Sequence, residues 1–176
     1  MSEFIAPKQG PWDGEERALF LAPMSGVTDL PYRLLAKECG ADVTITEFTN
    51  STALTREAAT SWRRMETHET EVPFIPQIFG GDPGDMATAA EMLAPSADII
   101  DLNFGCPAPK VTNICAGAAL MGEPDRLVSM VETIVERVDV PVTAKMRLGT
   151  GGGRANNSTE ICDCLLYTSP SPRDRG

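Results

Sequence analysis

The sequence predicts an α/β fold whose strands run parallel. Two observations carry this. Apolar, β-rich runs alternate with segments of helical periodicity. In three of those runs a polar side chain sits near the carboxyl end: Gln77, Asn103 and Lys145. Strand–helix alternation implies parallel strands joined by right-handed crossovers. Ligands of such folds bind beyond the carboxyl ends of the strands.

The elements follow in order. Strands are expected at residues 18–22 (ALFLA), 43–46 (VTIT), 73–79 (PFIPQIF), 98–103 (DIIDLN) and 141–147 (PVTAKMR). Helices fit residues 30–38, 55–65, 85–93 and 124–137. The last places Leu127, Val128, Val131, Ile134, Val135 and Val138 at helical spacing, with Pro124 in its first turn. The pattern opens a TIM (β/α)8 barrel or forms a doubly wound sheet. A complete barrel needs roughly 250 residues. The chain has 176, so the barrel reading is its first half, about four to five βα units.

Residues 1–17 are read as an N-terminal extension and 18–163 as the partial barrel. Residues 164–176 are read as a tail foreign to the natural protein. Its stretch CLLYTSPSPRD resembles one reading frame of a transposase-type sequencing adapter.

Net charge is −10, which argues against a broad nucleic-acid footprint on this piece of chain. No apolar run approaches a membrane-spanning length, and the first 17 residues lack the apolar core of a signal peptide. The expected setting is the cytoplasm. Five cysteines are present. None forms a CxxC pair or a metal-like Cys/His cluster, so no metal is expected and the thiols should be free.

Residues i and i+2 of a strand share a face. Asp101 and Asn103 therefore share one face of their strand, and Thr143, Lys145 and Arg147 share one face of theirs. Beyond Asn103 the chain reads FGCPAP. Gly105 leaves room for a ligand near the backbone. Pro107 biases Cys106 toward an extended conformation, and Pro109 stiffens the loop. A thiol with its ordinary pKa near 8.5 is protonated at neutral pH and can act as a general acid. A nucleophilic thiol needs a basic partner, and the sole histidine, His68, lies in a polar run with no evident link to it. The local pattern leaves two roles open for Cys106, general acid or buried structural cysteine. GTGGGR (149–154) lacks a phosphate-loop pattern and reads as a flexible loop. NICAGAALM (113–121) suits backbone packing or close approach to a flat ligand.

Four segments, in order, resemble the tRNA-dihydrouridine synthase family: LAPMSGVTDLPYR (21–33), QIFG (77–80), DLNFGCPAPKV with GAALM (101–111 and 117–121), and PVTAKMRLG (141–149). The cysteine segment is the most specific. Other FMN-dependent barrels have similar openings. The resemblance implies an FMN enzyme that reduces the uridine C5=C6 bond in tRNA, with NADPH recharging the flavin. It implies that Cys106 protonates C5 and that Lys145 stabilises negative charge on the reduced flavin. Gln77 and Asn103 would hydrogen-bond the flavin or the base. Pro23 and Met24 would line the ring system, and Arg147 would contact flavin or RNA. Glu47 matches an acidic position of the family without an assigned role. The family's later histidine, its phosphate motifs and its tRNA-gripping helical domain have no counterpart here. Cys115 stands where a smaller residue is expected. The chain alone is therefore expected to be inactive. The other readings are an FMN barrel oxidoreductase acting on a small pyrimidine or enone, and a non-catalytic half-barrel.

Overall fold

The computed structural model describes residues 18–149 and 157–168. Its elements are β1 (Phe20–Leu21), α1 (Leu30–Glu38), β2 (Val43–Thr44), β3 (Thr49–Asn50), α2 (Ser51–Thr55), α3 (Ala59–Arg63), β4 (Gln77–Phe79) and α4 (Pro83–Leu93). There follow β5 (Ile100–Phe104), α5 (Pro109–Thr112), a 3-10 turn at Gly117–Gly122, α6 (Pro124–Val135), β6 (Val142–Met146) and α7 (Ser158–Thr168). Every strand pairing is parallel, as the alternation predicts. β1 pairs with β2, and a second ladder runs β3-β4-β5-β6.

One continuous segment carries both β2 and β3. Between them side-chain bonds supplement the backbone pairing. The Thr46 hydroxyl donates to the Glu47 carbonyl at 3.1 Å, and the Thr49 hydroxyl to the same oxygen at 3.4 Å. Thr46 still joins the two ladders. Its N–H donates to the Ile75 carbonyl at 3.1 Å, and its Oγ1 accepts from the Gln77 N–H at 3.0 Å.

All five residues of β5 are buried. On one side Ile100, Leu102 and Phe104 join Ile78, Met86, Leu93, Leu127, Met130 and Ile134 in the main core, beneath α4 and α6. Asp101 and Asn103, on the alternate positions of the same strand, are buried too. Helix starts follow their sequence signals. The Asp29 and Asp82 carboxylates accept from the N–H groups of Tyr32 (3.1 Å) and Asp85 (2.8 Å), each with a proline in the first turn.

Element boundaries needed correction. The helix expected over 55–65 covers only Ala59–Arg63 (α3), and a separate short helix, α2 (Ser51–Thr55), precedes it. Glu57 adopts φ 55°, and the Ala58 N–H donates back to the Ala53 carbonyl at 3.0 Å, which closes α2 in a left-handed cap. The strand over 18–22 pairs only at Phe20–Leu21. The segment set aside as foreign begins inside α7, whose Leu165 packs on the main core; its remainder, 169–176, lies outside the described residues. So do 1–17 and most of the GTGGGR loop. Among the described residues no helix is long and apolar enough to cross a membrane.

α1 is anchored by a buried ion pair. Arg33 Nε donates to Glu71 Oε1 at 2.5 Å, and both side chains are 1% exposed. The remaining guanidinium groups donate to Glu71 Oε2 and to the carbonyls of Thr28 and Glu66. Glu71 also accepts from the hydroxyls of Thr44 and Thr67, each at 2.9 Å. Such a pair is costly to break because the partner left behind is a buried, uncompensated charge. Glu71→Ala is expected to lower the unfolding free energy by about 3–5 kcal/mol. Denaturant unfolding checks this, and a loss of under about 1 kcal/mol, the worth of an exposed pair, contradicts it.

Candidate functional site

Parallel register brings the polar strand-end residues to one place. Gln77 pairs with Asp101 and Asp101 with Thr143, while Asn103 pairs with Lys145. Cys106 lies two residues past the end of β5, at the same carboxyl end as Lys145. A hydrogen-bonded relay crosses the three strands. The Thr143 hydroxyl donates to Asp101 Oδ1 at 2.6 Å. Gln77 Nε2 donates to Asp101 Oδ2 at 2.5 Å. Asn103 Nδ2 donates to Gln77 Oε1 at 3.0 Å. Asn103 Oδ1 then accepts from the N–H groups of Gly105 (3.1 Å) and Cys106 (2.9 Å).

The Cys106 loop is held from the other side as well. Its carbonyl accepts from the Ala118 N–H at 3.0 Å. Gly117 has φ +58°, and a Cβ there would meet that carbonyl at 2.7 Å. Here only glycine fits, so GAALM is packing behind the cysteine loop, one of the two uses its composition suits. The Cys106 side chain is half-buried. Arg147 Nη1 reaches the Gly105 carbonyl at 3.5 Å and is exposed, as is Lys145. His68 is exposed and bonds to Thr70.

Pro23 and Met24 lie in the β1–α1 loop, where the Thr28 side chain ties back to the Met24 backbone. Glu47 joins this loop to the strands. It is buried, and its carboxylate accepts from the N–H of Gly26, a residue at φ +75°.

Asp101 is the site residue that sequence reasoning missed. The i, i+2 pattern put it on the face of Asn103, but its partners Gln77 and Thr143 come from other strands. Gln77 is 0% and Asn103 6% exposed, with their carbonyl oxygens engaged inside the protein. Each amide nitrogen has a second hydrogen beyond its relay bond. Burial raises the Asp101 pKa. The hydrogen bonds from Thr143 and Gln77 and the Lys145 charge oppose that rise.

The parallel sheet thus carries an ammonium, a guanidinium and a thiol at or beyond the carboxyl ends of β5 and β6, and the Asn103 amide is bonded to that of Gln77, which opens β4. A dihydrouridine synthase family model matches residues 20–168. The chain belongs to the dihydrouridine synthase family. It is 47% identical over 130 residues to a protein of Rhizobium leguminosarum bv. phaseoli named "Probable tRNA-dihydrouridine synthase", covering 73% of this chain and 41% of that protein. It is 44% identical to the proteins named "tRNA-dihydrouridine synthase B" of Proteus vulgaris, over 136 residues (76% of this chain, 42% of that protein), and of Escherichia coli K12, over 132 residues (74% and 41%). The chain thus spans about two fifths of the length of these curated relatives.

A carboxyl whose pKa rises on folding contributes stability that is present at low pH and lost as pH climbs through the raised value. Asp101→Asn removes that titration while keeping an acceptor for Gln77. Its stability relative to the parent is therefore expected to improve as pH rises from below the ordinary aspartate value of 3.8 to neutrality. Urea unfolding of both proteins across that range measures this. A difference that stays flat or moves the other way contradicts it.

Proposed function

We propose that the protein reduces uridine to 5,6-dihydrouridine in tRNA, using FMN with NADPH as reductant, and that this chain carries the first half of its (β/α)8 barrel. The observation that supports this most is the gathering of Cys106, Lys145 and the Gln77–Asn103 pair at one end of a parallel sheet, in a member of the dihydrouridine synthase family. The residues suit a flavin. Lys145 offers an exposed cation for the electron-rich edge of the reduced ring. The spare amide hydrogens of Gln77 and Asn103 offer donors, and Gly105 leaves backbone open to a flat group. Pro23 and exposed Met24 offer an apolar wall, and Arg147 offers a second cation for flavin or RNA phosphate. FMN held by these residues would supply the hydride for C6 of the uracil ring.

The role of Cys106 follows from what remains. Reducing C5=C6 requires one hydride and one proton. The thiol is held half-exposed at the site and is taken as the donor to C5. Its backbone is pinned while its side chain stays accessible, which suits a proton donor better than a buried structural cysteine. The tRNA itself is gripped chiefly by parts of the protein outside this chain, in keeping with the net charge of −10. The working compartment is the cytoplasm, where tRNA is modified.

In the complete enzyme, Cys106→Ala should lower dihydrouridine formation by roughly 10²–10⁴-fold, with flavin reduction by NADPH unchanged. Lys145→Ala should slow both half-reactions. Measuring the halves separately tests this, and equal losses in both for Cys106→Ala would sink the proton-donor role.

Made alone, this chain should hold FMN weakly and self-associate. Among the described residues β6 has one sheet neighbour, and an unpaired edge recruits other chains. Leu19, just before β1, and Phe20, within it, are exposed. Size-exclusion chromatography with a flavin absorbance trace decides it; a monodisperse monomer with stoichiometric FMN is the contrary result.

A further inference from the structure

We propose that Asp101 is a positioning residue for the Cys106 loop, acting through Gln77 and Asn103. This rests on the dihydrouridine synthase reading above, and deepens it.

The inference comes from the direction of the hydrogen bonds. Both Asp101 oxygens accept, Oδ2 from Gln77 Nε2 and Oδ1 from the Thr143 hydroxyl. Gln77 must therefore turn its Nε2 toward Asp101, which leaves Oε1 toward Asn103. Asn103 must answer with Nδ2, which leaves Oδ1 toward the loop. The N–H groups of Gly105 and Cys106 can only donate. A carboxyl that accepts at both oxygens closes one end of the relay and donor-only N–H groups close the other, so the observed orientation of both amides satisfies every bond. Reversing either amide would set N–H against N–H in a buried site, where an unpaired polar group is expensive. Asp101 is itself oriented from β6 by Thr143, with Lys145 the charged group facing it. The chain of constraint runs from β6 through β5 and β4 and back to the loop after β5. Asp101 touches neither the loop nor the thiol; it acts by denying Gln77 any other orientation.

The test uses the complete, flavin-loaded protein and three variants. Asp101→Leu removes the acceptor at similar size. Asp101→Asn keeps an oxygen for Gln77 and offers its own N–H to the Thr143 hydroxyl, so it should preserve the relay without the charge. The first readout is the rate of Cys106 alkylation by iodoacetamide, followed peptide by peptide because Cys39 and Cys115 are exposed. The second is the pair of half-reactions. Asp101→Leu should raise Cys106 alkylation by about tenfold and lower the kcat of uridine reduction by roughly 10²-fold, the cost of misplacing a reacting group by about 1 Å. KM for tRNA should hold. Asp101→Asn should stay within about threefold of the parent in every measure, since the hydrogen bonds survive. If Asp101→Leu fails to fold, Thr143→Val at an exposed position removes the bond that orients the same carboxylate. It should lower uridine reduction about fivefold, one net hydrogen bond. Equal losses for Asn and Leu would overturn the proposal, because charge and not orientation would then be at work. So would a folded Asp101→Leu, or failing that a Thr143→Val, with parental alkylation and kcat. A parent protein that makes no dihydrouridine would refute the functional reading instead, and the alkylation rates would still decide the relay.

Discussion

A carboxylate buried at the centre of a sheet constrains everything built around it. Asp101 is 3% exposed, and its desolvation has to be offset where it sits. Two hydrogen bonds and a nearby ammonium do so. Those partners come from β4 and β6, so the pairing register of three strands is tied to one side chain. A slip of one residue would turn Gln77 or Thr143 to the opposite face and strand the charge. The same register puts Asn103 beside Lys145 and points the loop after β5 at the site. Register, burial and the cysteine's position are thus one constraint seen at three scales.

The surrounding structure keeps that constraint rigid. β5 is buried along its whole length, with α4 and α6 packed on its apolar side. The Arg33–Glu71 pair fixes α1 against β2 and the 66–71 segment, and each of its polar groups is met by a hydrogen-bond partner. Glu47 then holds the β1–α1 loop, which carries Met24, from the middle of the β2–β3 segment. Its carboxylate and the glycine it grips give this acidic position a physical use: it shapes the loop from within the protein. Behind the cysteine, Gly117 lets the 3-10 turn approach so closely that its neighbour Ala118 can bond to the Cys106 carbonyl.

Much of this was legible in the residues. Period-2 alternation placed Asn103 and Lys145, and the alternation of elements gave parallel strands. Gly105, Pro107 and Pro109 marked Cys106 as a placed thiol. What stayed hidden was pairing. That Gln77 faces Asp101 depends on which strands become neighbours and in what register, and a single strand's sequence does not contain that. The turn at Glu57, which ends α2 and limits the expected 55–65 helix to α3, was hidden for a related reason. Glu57 has no intrinsic preference for a left-handed backbone, and Trp62, whose indole N–H donates to the Leu54 carbonyl at 3.3 Å, supports the turn from the next helix. β3 escaped notice because it is two residues long, and α5 because Pro109 reads as a loop residue until its N1 position is seen.

The central claim is that an internal relay, and not the loop's own sequence, holds Cys106 in place. Amide hydrogen exchange at Gly105 and Cys106 addresses it most directly, because both N–H groups end on Asn103 Oδ1 in a stretch with no ladder or helix to protect them. In the complete protein these two amides should exchange orders of magnitude more slowly than those of an open loop. Exchange at both amides as fast as in an unstructured peptide, with β5 itself still protected, would contradict the account.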